Sequence, residues 1–168
     1  MFKKLCKNIY YFFFDLFTIL RNFDSKYNFI VLTPRLLSKI IKRSLIFDKL
    51  NRDIFIQNIR NDFDLITIYE IFSEENYNLR KFEIWNSISK VLNSYHKENV
   101  KPLIIDCGSN IGSSSEYFKR CYRNGQIVMI ETDINNFKFS KKNISIDDRF
   151  SINNAISSDE KSLKFSNL

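Results

Sequence analysis

Residues 103 to 118, LIIDCGSNIGSSSEYF, constrain the fold more than any other stretch of the chain. Leu103, Ile104 and Ile105 form a short, continuous apolar run, the pattern of a strand in a covered parallel sheet. Asp106 closes that run. Gly108 and Gly112 bracket a tight turn, and Ser113, Ser114 and Ser115 are residue types that cap a helix start. The helix that follows carries Tyr117, Phe118, Cys121 and Tyr122 on one face. Strand, glycine turn and helix, in that order, make the corner of an open α/β sheet. Nucleotide-like ligands sit at such corners, beyond the carboxyl ends of the strands.

The residues of the turn narrow the ligand. The dinucleotide fingerprint requires three glycines as G-x-G-x-x-G. Here Ser109-Asn110 fills the interval and two glycines are present. A phosphate loop ending in Gly-Lys-Ser/Thr is also missing. An acid followed by Gly-x-Asn-x-Gly repels a pyrophosphate but suits a cation. S-adenosylmethionine carries a sulfonium and an ammonium and no phosphate, and glycines let the backbone approach it closely. The plain alternative is a glycine turn that only reverses the chain.

Downstream, Ile127-Val128-Met129-Ile130 is again continuously apolar and ends at Glu131. An acid about 20 residues past the glycine turn is placed to hold a ribose hydroxyl pair, because a carboxylate accepts several hydrogen bonds. Asp133 follows, then a helix with Phe137 and Ile144. Phe150 to Ile156 reads as a third strand. The pattern from Leu103 to Ile156 is therefore β-α-β-α-β, with acids at two strand ends.

The stretch IDCGSNIGSSSEYF…IVMIETDINNFKFSKKNI resembles the FkbM family of S-adenosylmethionine-dependent methyltransferases. RNDFDLITIYEIFSEENYNLR (60–80) is similar to that family's lead-in, and NNAISSDEKSLKF (153–165) to its third strand and the short strand after it. The resemblance runs from about residue 53 onwards. Two small departures are Ser109, where the family usually has Ala, and Thr132, where it usually has Pro. The resemblance implies a Rossmann-like class I methyltransferase sheet that binds S-adenosylmethionine. It places Asp106, Gly108, Asn110 and Gly112 at the methionine end and Glu131 at the ribose, with Asp133 close by. Asn154 and Ala155 would approach the adenine. It implies methylation of a small-molecule or glycan acceptor, but marks no catalytic base. Family members continue well past the equivalent of Leu168. The resemblance therefore covers three parallel strands of an incomplete sheet, the amino-terminal half of an enzyme that is inactive alone. A non-catalytic interaction fragment and one half of a split enzyme, completed by a carboxy-terminal partner, are the alternatives.

Three regions follow: a basic, aromatic, mainly helical leader (1–50), a helical lead-in (51–102) and the cofactor half-domain (103–168). The +7 net charge lies entirely in the leader, which holds ten basic and three acidic residues. The remainder is neutral, so a nucleic-acid partner, which needs the basic surface beside the site, is disfavoured. Cys6, Cys107 and Cys121 lack C-x-x-C spacing and point to reduced thiols in the cytoplasm. The single histidine, His96, reads as a helix-end residue, with no cysteine or histidine near it in sequence to make a metal site.

MFKKLCKNIYYFFFDLFTILRNF (1–23) is too short and interrupted for a membrane span. Two readings stay open: a helix packed on the catalytic domain or a partner, and an interfacial helix at a membrane surface. Thr33-Pro34 starts a second helix, with Thr33 as cap and Leu36, Leu37, Ile40, Ile41 and Leu45 on its apolar face. Ile54 and Ile56 suggest a short strand. Leu65, Ile68 and Phe72 keep helical spacing, as do Ile84, Ile88, Val91, Leu92 and Tyr95. Trp85 reads as core and Glu116 as a surface acid.

Overall fold

The computed structural model describes residues 2–23, 28–144 and 150–156. These residues form two three-stranded sheets. The first is antiparallel, in the order β1 (Phe29–Val31), β2 (Arg43–Asp48) and β3 (Asp53–Asn58). The second is parallel, in the order β4 (Leu103–Cys107), β5 (Gln126–Ile130) and β6 (Ser151–Ile152), with β4 at one edge. Its crossovers run through α5 (Ser113–Cys121) and α6 (Ile134–Ser140). The three apolar runs thus pair in parallel, with the first outermost. Within Phe150–Ile156 the paired strand covers only Ser151 and Ile152. The short strand expected after it falls beyond Ile156, outside the described residues.

The amino-terminal third departs from the helical leader. Two helices are present, α1 (Phe2–Phe23) and α2 (Arg35–Ile41), but β1 and β2 stand among them. The boundary at residue 50 falls in the loop between paired strands β2 and β3. Helix α2 stops at Ile41, because Lys42 turns left-handed (φ +56°) and Leu45 enters a strand. Thr33 does not cap it; its hydroxyl accepts from the Leu45 N–H at 2.9 Å. The cap comes from α1, whose Asp15 carboxylate accepts from the Arg35 N–H at 2.8 Å and pairs with the Arg35 guanidinium. A carboxylate at that helix end also meets the favourable end of its dipole.

The first sheet packs against α5 and against the turn of π-helix at Tyr69–Ser73, which continues α3 (Asp62–Ile68). Phe29, Phe55, Phe72 and Tyr117 meet there, with ring centroids 5.2–6.3 Å apart in edge and tilted arrangements. Such geometry adds to simple area burial. A polar layer joins the same elements. Ser113 Oγ donates to Gln57 Oε1 at 2.8 Å. Arg120 reaches Asp48, Asp53 and Glu116 at 3.1, 3.0 and 2.6 Å.

Glu116 is therefore buried beside Arg120, not a surface acid. Burial pushes its carboxyl above the ordinary glutamate range, against the pull of the guanidinium. The folded protein then holds this proton to higher pH than the unfolded chain. Stability from this group is full below the ordinary glutamate range and is lost as pH rises through the raised value. Glu116→Gln should flatten that segment of the curve, measured as denaturant midpoints in steps between about pH 4 and pH 7.

The second sheet is covered on one face. Paired residues in parallel strands point the same way, and Ile127 and Met129 on the inner face are buried. On the other face Leu103 and Ile105 are 59% and 53% exposed, and Ile152 is exposed with them. Helix α4 (Trp85–Lys97) forms where the periodicity placed it, but none of its residues is buried. Trp85 is half-buried under the Arg80 guanidinium, 5.5 Å from the ring centroid, and not in the core.

Candidate functional site at the Gly108–Gly112 turn

The turn between β4 and α5 needs unusual backbone. Gly108 (φ +81°), Asn110 (φ +49°) and Gly112 (φ +84°) all occupy the left-handed region, which glycine enters freely and asparagine tolerates. The Gly108 and Ser109 N–H groups donate to the Ile130 carbonyl at 2.8 and 3.0 Å. Buried Glu131 closes the turn onto β5. Its Oε2 accepts from the Asn110 N–H at 2.7 Å and its Oε1 from the Asp133 N–H at 2.8 Å. Each oxygen keeps acceptor capacity, since a carboxylate offers about four lone-pair sites.

Asp106, half-buried at the end of β4, accepts from the Ser114 and Ser115 hydroxyls through Oδ2, from Ser114 at 2.6 Å. The serines thus do not cap α5. Its cap position is Gly112, and no side chain caps the helix there. The two glycines have different surroundings. A Cβ built on Gly108 has no atom of the described residues within 4 Å, whereas one on Gly112 would lie 3.1 Å from Ile144 Cγ2 and from Ser140 Cβ. Gly108 faces open space; Gly112 lets the turn close against the end of α6.

The structure brings Asp106, Gly108, Asn110, Gly112 and Glu131 together around one turn. Asp133 is adjacent but exposed, and its Oδ1 caps α6 by accepting from the Asn135 and Asn136 N–H groups. Asn154 and Ala155 lie beside the same segment, where the Asn154 carbonyl accepts from Thr132 Oγ1 at 3.2 Å. Sequence reasoning missed Asn153 and Asn143. Asn153 Nδ2 donates to the Glu131 and Thr132 carbonyls at 2.7 and 3.0 Å. Buried Asn143 donates to the Ile111 carbonyl at 3.0 Å and accepts from the Asn58 N–H at 2.6 Å. No local pattern marks it, since its partners lie 32 and 85 residues away.

The lead-in also reaches the site. Arg60 grips Asp64 through Nε and Nη2 at 3.0 and 3.1 Å, donates to Asn136 Oδ1 at 2.8 Å and lies over the Phe139 ring. The bond to Asp64, opposed by burial and helped by Asp133 and Glu131, holds its guanidinium above the usual arginine range.

Cys107 is exposed beside the turn, while burial pushes the Cys121 thiol up to about 12 and leaves it unreactive. A cavity of about 530 Å³ lies at the other end of the sheet, where Pro102 and Gly125 precede β4 and β5. Arg80, Lys101 and Arg123 line it.

Ser109 Oγ is buried in the turn and has no hydrogen-bond partner among the described residues. A buried, unsatisfied hydroxyl costs on the order of 1–3 kcal/mol. Ser109→Ala is therefore expected to stabilise the chain by about 1 kcal/mol, read as a higher denaturant midpoint at unchanged slope.

The fold and site define an α/β protein whose parallel strands end in a glycine turn flanked by two acids, an arrangement compatible with a Rossmann-like unit. Comparison of the chain with protein-family models, curated proteins and solved structures finds no match.

Proposed function

We propose that this chain binds S-adenosylmethionine at the Gly108–Gly112 turn and is the cofactor-binding part of an FkbM-like methyltransferase. The observation that carries the reading is the closure of the turn onto Glu131, with Asp106 at the end of the neighbouring strand. The residues suit the cofactor. Gly108 leaves space where a side chain would stand, and Asp106 Oδ1 takes no part in the serine bonds. The turn offers a carboxylate, not a lysine, as a sulfonium and an ammonium require.

When bound, the cofactor supplies a methyl group on a cationic sulfur. The chain's own task is to position it and exclude water. Asp106, oriented by Ser114 and Ser115, attracts the ammonium. The spare lone pairs of Glu131 would receive the ribose hydroxyls, with Asp133 close by, and Asn154 and Ala155 would approach the adenine. The acceptor is a small molecule or glycan. Among the described residues, the outer face of the second sheet is exposed and β4 has no strand on its other side, and these two features support a further reading. Transfer then requires elements on β4 beyond those of the described residues.

Calorimetry on the purified chain tests the cofactor. Glu131→Gln keeps one of two acceptor oxygens and should weaken binding by about 1–3 kcal/mol. Unchanged affinity in that variant, or a preference for NAD, would defeat the reading. With labelled cofactor and a cell extract, the chain alone should transfer no methyl group above background.

A further inference from the structure

We propose that α1 docks the protein on an anionic lipid surface, with its aromatic face buried at the lipid boundary. The helix is turned the opposite way from an ordinary surface helix. Its inward side carries Asp15, Ile19 and Asn22, all buried. Its outward side carries Tyr10, Phe13, Phe17 and Leu20, each at least 62% exposed, and Phe14 beside them. At about 100° per residue these side chains share one half of the helix, opposite Asp15.

The attachment is specific. Asp15 is locked to Arg35, Lys49 Nζ donates to the Asn22 and Phe23 carbonyls at 2.8 and 2.9 Å, and Phe23 stacks on Phe47. These contacts hold the helix with its aromatic side outward. A contiguous apolar face of this kind marks an interaction site.

Charge selects the occupant. Asp15 is the helix's only acid and it faces inward, while Lys3, Lys4 and Lys7 occupy the first two turns. The whole +7 charge lies in residues 1–50. A second copy would bring like charges together, whereas anionic headgroups attract them. No helix among the described residues is long and apolar enough to cross a membrane, so the geometry is that of a helix lying in the interface. This inference is independent of the methyltransferase reading.

The test is co-sedimentation of the full chain with vesicles of phosphatidylcholine, alone or mixed with phosphatidylserine, at low and high salt. Recovery is expected with the mixed vesicles and should fall as salt screens the charges. Removing one lysine, as in Lys3→Gln, which the helical repeat places on the side of Tyr10 and Phe14, should weaken binding about fivefold. Phe13→Ser and Phe17→Ser should each weaken it on the order of tenfold, with unfolding midpoints unchanged because neither ring is buried. Equal recovery with both vesicle types, or none with either, would overturn the proposal. So would a lipid-free dimer in sedimentation velocity that Phe13→Ser and Phe17→Ser dissociate.

Discussion

Arg120→Gln is expected to lower the unfolding free energy by about 3–5 kcal/mol, the cost of removing one partner from a buried ion network. That is a large part of the roughly 5–15 kcal/mol that holds a typical domain. Asp48 and Asp53 face each other across the β2–β3 hairpin, and like charges placed directly opposite are destabilising. Glu116 adds a third carboxylate from α5. One guanidinium answers all three and lies 3.6 Å from the Phe55 ring centroid. Asp48 is fully buried and also bonds the Leu50 and Asn51 N–H groups of the hairpin loop. Without Arg120 it would be a buried charge among uncharged donors. Arg120→Lys should recover only part of the loss, because an ammonium lacks the planar fork. Denaturant midpoints of the two variants, alone and with Asp53→Asn, measure the coupling through a double-mutant cycle. A loss below about 1 kcal/mol, the ceiling for exposed pairs, would show that the network is solvated.

The same network explains what the sequence hid. The parallel sheet was legible because β4 and β5 are built on continuous apolar runs and its turn carries two of the three glycines. The antiparallel sheet was not. In β2 the inward residues are Ser44, Ile46 and Asp48; in β3 they are Phe55 and Gln57, while Ile54 and Ile56 point outward. Hydrophobic alternation therefore marks β3 as a strand but assigns it the wrong face, and it misses β2 altogether. The polar residues are inside because partners meet them there. Asp48 has Arg120, 72 residues away, and Gln57 has Ser113, 56 residues away. Pairings at that distance leave no local trace. The three serines were misread because their partners are the strand residues Gln57 and Asp106, and Glu116 because Arg120, one turn along α5, draws it into the buried network with Asp48.

Within the candidate site, acids and glycines at fixed spacing were legible, and the structure gathers most of them at one turn. Their division of labour was not. The two glycines look equivalent in the sequence, yet one faces open space and the other a packed helix end. Asp133 lies next to Glu131, and the bonds it makes are those of a helix cap.

Gly112→Ala and Gly108→Ala should consequently fail in different ways. Both positions hold left-handed backbone, which costs an L-residue about 1–2 kcal/mol. At Gly112 the new methyl also meets Ile144 Cγ2 and Ser140 Cβ at 3.1 Å and the Ser140 carbonyl oxygen at 3.3 Å. The backbone oxygen cannot rotate away, and overpacking of this kind adds roughly 1–3 kcal/mol. Gly112→Ala should therefore destabilise by about 2–5 kcal/mol in all. At Gly108 the methyl projects into space that holds no atom of the described residues, so stability should fall only by the backbone strain. If that space belongs to the cofactor, Gly108→Ala should instead abolish most S-adenosylmethionine binding while the chain remains folded. Unfolding midpoints and calorimetric titrations on the same two preparations separate these effects. Equal destabilisation by both variants would contradict the close packing at Gly112. Undiminished cofactor affinity in folded Gly108→Ala would mean that the open side of the turn is not where the ligand sits.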